Sequence, residues 1–185
     1  MNATLTSTLR VYDDTNPGAP LVDTTDRAEI ARLLGAAGVR FEQWEASVPL
    51  APDADGDRVL AAYAGDVQRL RDECGYATAD VLRLAKGMPN TAPMRAKFLD
   101  EHSHSEDEVR FFVEGSGAFY LRIGGKVYRT VCTRGDLIGV PAGTRHWFDM
   151  GPDPEFTAIR FFTDTSGWVA NFTGDDIASR FPRYE

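Results

Sequence analysis

Histidine is scarce in this sequence: three in 185 residues, at His102, His104 and His146. Cysteine is scarcer, and Cys74 and Cys132 lie far apart in no CxxC arrangement, so the chain offers neither a disulfide framework nor a thiolate metal site. Both are expected to be reduced core thiols. No apolar run of about 18 residues could cross a bilayer. No basic, apolar, small-residue leader opens the chain, and a cytoplasmic protein without a membrane partner is expected. Basic residues are outnumbered, 20 Lys and Arg against 28 Asp and Glu, giving a formal net charge of -8. That sign is wrong for gripping a phosphate backbone or an anionic lipid surface, so nucleic acid is not an expected partner.

What is present is the make-up of one globular domain, with 43% hydrophobic and 26% charged residues. The single domain, 1–185, is read in three parts: strands and helices in 1–93, a barrel core with a metal site in 94–165, and a docked tail in 166–185. Leu5, Leu9, Val11 and Tyr12 precede a turn cluster at Asp13 to Gly18, which reads as a strand and hairpin. Asp26 to Glu29 is a capping box before Ile30, Leu33, Leu34 and Ala37 at helical spacing. Val39 to Trp44 alternates as a strand does. A second helix is predicted over Asp57 to Glu73, with Gly75 as its cap, and a strand over Val81 to Leu84. Met88 to Pro93 reads as a loop and Met94 to Asp100 as a turn or two of helix.

From His102 the texture changes to short β-rich runs. Arg110 to Glu114, Ala118 to Ile123, Lys126 to Cys132, Asp136 to Val140, His146 to Asp149 and Thr157 to Phe162 are the predicted strands, with Gly124-Gly125 as a tight hairpin. Regular short strands of this kind suggest a barrel or jelly roll. In the tail, Trp168, Phe172, Ile177 and Phe181 are apolar enough to dock on the body.

All three histidines fall in two short segments, Glu101 to Arg110 and Pro141 to Phe148. Divalent first-row metals are held by imidazole nitrogens and carboxylate oxygens converging on one point. His102 and His104 are two apart and would share one face of a strand. Glu108 keeps the same parity if the strand continues, or returns on a neighbouring strand if Ser105 to Asp107 turns; either way it can face the imidazoles. His146 follows Glu108 by 38 positions, enough for several strands to fold back. Four such donors would leave two adjacent positions open on an octahedral ion. Arg110, two beyond Glu108, points toward the same site. Phe98, Phe148 and Trp168 read from the residues alone as core aromatics, with Phe148 on the face of His146.

The pattern His102-x-His104-x3-Glu108-x6-Gly115 resembles the first cupin motif, and Gly135-x5-Pro141-x-Gly143-x2-His146 the second. Ala96 stands where the first usually opens with glycine, and Met150 where the second usually ends with asparagine. The longer strings Lys97-Phe98-Leu99-Asp100-Glu101-His102-Ser103-His104, Glu106-Asp107-Glu108-Val109-Arg110-Phe111-Phe112-Val113-Glu114-Gly115, His146-Trp147-Phe148-Asp149-Met150-Gly151 and Phe172-Thr173-Gly174-Asp175-Asp176-Ile177 resemble the bacterial acireductone dioxygenase family over nearly the whole chain.

The resemblance implies a mainly β fold with flanking helices, a cupin double-stranded β-helix (jelly-roll barrel) with an N-terminal α+β elaboration. It implies His102, His104, Glu108 and His146 as ligands of one Fe(II) or Ni(II) per chain. Arg110 would help ionise the substrate, with Phe98, Phe148 and Trp168 around it. Glu101 and Asp107 would assist metal loading and conformational relay. The implied reaction joins a small enediol, 1,2-dihydroxy-3-keto-5-methylthiopentene, with O2. Iron would direct it to formate and 4-methylthio-2-oxobutanoate, nickel to formate, CO and 3-methylthiopropionate. A monomer is implied. The rival readings are another cupin enzyme, such as a sugar isomerase or flavonol-type dioxygenase, and a non-catalytic metal-stabilised binding module.

Overall fold

A computed structural model describes residues 5–164 and 169–185. Strand β1 (Thr8–Asp13) turns back as β2 (Val22–Thr24), and helix α1 (Arg27–Ala36) follows. The Asp26 carboxylate accepts the Glu29 backbone N–H at 2.9 Å, and Ile30 and Leu34 are buried, as their spacing predicts. Next come β3 (Arg40–Gln43), helices α2 (Gly56–Ala62) and α3 (Ala64–Cys74), β4 (Thr78–Leu84) and α4 (Thr91–Leu99).

Cys132 is buried as expected, but Cys74, expected in the core, is exposed at the end of α3. Two helix expectations also need correcting. The single helix predicted over Asp57 to Glu73 is broken at Tyr63, whose backbone leaves helical values at φ -111 and ψ 27. Its buried ring meets Phe111 edge-on while its hydroxyl donates to the Val48 carbonyl at 3.1 Å, so tertiary contacts override the apolar stripe. Helix α4 starts at Thr91 rather than Met94, because Pro93 falls in the first turn, where no N–H is required.

The remaining elements are β5 (His102–Ser103), β6 (Glu108–Ile123), β7 (Lys126–Thr133), β8 (Asp136–Val140), β9 (Arg145–Asp149), β10 (Phe156–Phe162), β11 (Asn171–Phe172) and α5 (Ile177–Arg180). Two antiparallel sheets share β6. One runs β11-β5-β9-β6-β7-β1-β2; the other pairs the first part of β6 with β8 and β10, with β3 beyond β8 and β4 beyond β10. The two strands expected at Arg110 to Glu114 and Ala118 to Ile123 are therefore one. Gly115 sits at φ 65, where an added Cβ would lie 1.8 Å from the Glu155 carbonyl oxygen, and the chain bends there without ending the strand. The pairing with β10 slips just before this bend, at Val113, between the Phe112–Ala158 and Glu114–Thr157 pairs.

The slip changes the inward parity of β6. Before it Glu108, Arg110 and Phe112 face between the sheets; after it Phe119 and Leu121 do, packing with Leu9, Ile138, Phe148 and Phe156. The outward Val109, Phe111 and Val113 meet α2 and α3 through Val59, Tyr63, Val67 and Leu70. The outward Tyr120 and Trp147 stack 5.1 Å apart and are covered by Ile177 and Phe181, so those two tail residues dock as predicted. Phe172 docks only in part: it is 58% exposed, with its ring 5.7 Å from that of His102.

Candidate metal centre

His102 lies on β5 and His146 on β9, and the two are direct cross-strand partners. His104 stands just past β5, while Glu108 opens β6 on the opposite sheet, the second of the two geometries left open by the sequence. The bend at Ser105 and Glu106 delivers it there. The three imidazoles converge, with ligand atoms all within 4.8 Å of one another. Glu108 Oε2 lies 3.2 Å from His104 Nε2 and 3.5 Å from His146 Nε2. All four residues are buried.

The hydrogen bonds fix what these atoms can do. His102 Nδ1 meets the Asp100 carbonyl at 2.7 Å, His146 Nδ1 the Thr144 carbonyl at 2.8 Å, and His104 Nδ1 the Val169 carbonyl at 2.9 Å. A carbonyl only accepts, so each Nδ1 carries a proton, and each ring is held with its Nε2 turned toward the others. Glu108 Oε2 and His146 Nε2 are buried with no hydrogen-bond partner. Lone pairs without a hydrogen among them repel at these distances, and the arrangement fits a bound cation. Carbonyl partners behind ligating imidazoles are the usual way such rings are oriented.

The protonation tendencies support this at His102 and Glu108, while at His104 the metal-free pocket favours a proton that a cation would displace. Burial, then the neighbouring His146, pushes His102 down to about 4, so its lone pair is free at neutral pH. Burial opposes the imidazolium of His104, but the hydrogen bond and charge of Glu108 outweigh it and the net shift is upward. Burial would raise the Glu108 carboxyl, yet Arg110 and the imidazoles together hold it well below the usual carboxylate range.

Arg110 Nε donates to Glu108 Oε1 at 2.5 Å. Its guanidinium lies 4.5 Å from the Phe148 ring centroid and 4.8 Å from that of Phe119. Nη1 is buried without a partner. A cavity of about 300 Å³ opens beside these groups, walled also by Lys97, Phe98, Arg160, Phe162, Ala170 and Phe172. Phe98 thus lines the cavity. Phe148 sits behind Arg110 as a buried backing, closed against Gly117, where an added Cβ would meet its ring at 2.4 Å. Trp168 lies outside the described residues. Glu101 is buried and accepts a hydrogen bond from the Thr173 hydroxyl at 2.8 Å. Asp107 accepts the Ala142 N–H at 2.7 Å and so ties the turn before Glu108 to the loop before His146.

Reading the sequence missed Arg160, Phe162, Lys97 and Phe172 as cavity residues. Arg160 left a signal, since it is the one charge in the otherwise apolar strand Phe156–Phe162. It pairs with Asp80 through Nε at 2.8 Å and through a second bond from Nη2.

Comparison with known proteins supplies a family. The model of the ARD/ARD' family matches residues 8–170. The acireductone dioxygenase of Parvibaculum lavamentivorans is 61% identical over 177 residues, covering 96% of each chain. That of Pseudomonas aeruginosa strain UCBPP-PA14 is 56% identical over 179 residues, covering 97% of this chain and 99% of its own. Among solved structures, the acireductone dioxygenase from Bacillus anthracis with a cadmium ion in its active centre superimposes with a TM-score of 0.78 at 29% identity, covering 92% of this chain and all of that one.

Proposed function

Since the chain belongs to the ARD/ARD' family, we propose that His102, His104, Glu108 and His146 hold one Fe(II) or Ni(II), with Arg110 as the catalytic residue beside it. The enzyme is a metal-dependent dioxygenase that acts on acireductone, 1,2-dihydroxy-3-keto-5-methylthiopentene, with O2 in methionine salvage. The observation that supports the ligand set is the convergence of Nε2 atoms and a partnerless carboxylate oxygen in one buried place.

When bound, the metal would supply a Lewis acid that lowers the pKa of substrate oxygens. The protein's own contribution is separate. Arg110 keeps its positive charge and offers an unpaired Nη1 next to the donors, which favours the enediolate over the enediol. Glu108 anchors that guanidinium, while Phe119 and Phe148 hold its plane. Phe98, Phe162 and Phe172 give the cavity an apolar side suited to a methylthio tail and to exclusion of water. No helix of the described residues is long and apolar enough to cross a membrane, and we read the enzyme as a cytoplasmic monomer.

The test is to load the purified protein separately with Fe(II) and Ni(II), supply acireductone under O2, and identify the products. Formate with 4-methylthio-2-oxobutanoate is expected for iron. Formate, CO and 3-methylthiopropionate are expected for nickel. One product set with both metals would end the metal-selected reading, and no oxygen uptake with either would end the ligand assignment.

A further inference from the structure

Two of the three imidazoles are oriented by their own segments, since Asp100 and Thr144 each lie two residues before the histidine they fix. His104 is different. Its Nδ1 proton goes to Val169, 65 positions along the chain. Val169 is 60% exposed and lies outside any strand or helix. The nearest regular structure, β11, is two exposed residues long. Pairing that short does not hold a segment by itself, so the position of the Val169 carbonyl depends on something else.

That something is a polar clasp centred on Glu101, the residue before His102. The Thr173 N–H donates to the Glu101 carbonyl at 3.0 Å, and the Thr173 hydroxyl to Glu101 Oε1 at 2.8 Å. Arg122 Nη1 faces Glu101 Oε2 at 3.5 Å and donates to Asp175 Oδ2 at 2.9 Å, while Arg122 Nε reaches Asp14 at 3.2 Å. Asp175 Oδ1 in turn accepts the N–H of Ile177, the first residue of the docked helix α5. The Glu101 side chain is fully buried, so a hydrogen bond lost there is not replaced by water. The Arg122–Asp175 contact is partly exposed and contributes less.

We infer that Thr173 is a positioning residue for the metal centre: with Glu101 it fixes the 169–173 segment, the segment fixes the Val169 carbonyl, and the carbonyl holds the His104 ring with Nε2 on the site. The inference rests on the ligand set proposed above. Without the hydroxyl, the segment keeps its backbone pairing, a long Asn171 bond to the Ser103 carbonyl and the partly exposed Arg122–Asp175 contact, so the His104 acceptor is held less firmly and one of four donors loosens. Loss of such an outer partner typically weakens metal holding by about 10–100-fold.

The experiment uses full-length protein loaded with Ni(II) and challenged with excess EDTA, with bound nickel followed over time by elemental analysis. Thr173→Val is expected to release nickel about tenfold faster, and Thr173→Ser, which restores the hydroxyl, to match the parent. Metal-free Thr173→Val should melt somewhat below the parent, because Glu101 loses a buried hydrogen bond, whereas Ser116→Ala, which removes a hydrogen bond to Tyr184 outside the clasp, should leave nickel release at the parent rate. Asp175→Asn, acting from the solvent side, should move release in the same direction by less, and it decides the matter if Thr173→Val does not fold. Parent-like release in whichever of these two variants folds, or equal acceleration by Val and Ser, overturns the clasp. Failure of the ligand set looks different: the parent takes up no stoichiometric nickel, or His104→Ala holds it as firmly as the parent does, and the clasp falls with it.

Discussion

Arg110 and Arg160 stand directly opposite one another on β6 and β10. Adjacent strands ordinarily avoid such like-charge pairs. Each is answered from its far side: Glu108 holds Arg110, and Asp80, the cross-strand partner of Arg160 on β4, holds Arg160. The outcome is two guanidiniums bordering one cavity, each held by a carboxylate that does not itself need to move. Such a pair suits a small, oxygen-rich anion.

Arg160→Met keeps the side-chain bulk and removes the charge. We expect kcat/KM of metal-replete enzyme to fall about tenfold, about 1.4 kcal/mol, chiefly through KM. Asp80→Asn should do the same to a smaller extent. Steady-state kinetics on acireductone decide it, and parent values in both variants would remove Arg160 from substrate binding.

His146→Ala removes one donor near the start of β9, where its backbone pairing with His102 and Leu121 does not depend on the ring. Metal should be lost on dialysis against chelator and turnover with it, while the far-ultraviolet circular dichroism stays that of the parent. A variant that keeps metal and full activity would remove His146 from the site.

Arg110→Met strands the buried Glu108 carboxylate without its guanidinium. Breaking a buried pair from one side costs roughly 3–5 kcal/mol, so the metal-free variant should unfold at clearly lower urea. Added Ni(II) should restore more stability to the variant than to the parent, because the cation replaces the missing positive charge. Equal gains would mean that the carboxylate does not face the metal.

Asp149 gives a prediction in pH. Burial would raise its carboxyl, but Arg95, at 2.7 Å and 3.0 Å, and the N–H groups of Gly151 and Tyr184 outweigh burial and lower it. A carboxyl lowered on folding adds stability that is present above its unfolded pKa of about 3.9 and is lost as pH falls through the folded value. Urea midpoints of the parent should therefore drop further between pH 5 and pH 3 than those of Asp149→Asn; identical slopes would show that the pair carries no acid-sensitive stability.

The convergence of the three histidines and Glu108 was legible because histidine is rare here and because a two-residue period puts neighbours on one face. Arg110 followed from the same period, and so did the shared face of His146 and Phe148. Parity along one strand says nothing about which strands adjoin. Arg160 and Phe162 reach the cavity, and Asp80 reaches Arg160, through the pairing of β4, β10 and β6, segments up to about eighty residues apart, and only the three-dimensional register reveals that. The same limit explains Phe148, whose direction was readable but whose place behind Arg110 was not. It also explains the false break at Gly115 to Gly117, where glycine marks a bend in one strand and not the boundary between two.

That bent strand has a consequence for how the molecule comes apart. Because β6 is a wall of both sheets, neither can peel away while the other stays whole, and loss of order should spread through the middle of the chain in a single cooperative event. The imidazoles belong to one wall and the carboxylate to the other. Unfolding should therefore free a bound ion in one step, without a partly melted intermediate that keeps half the donors.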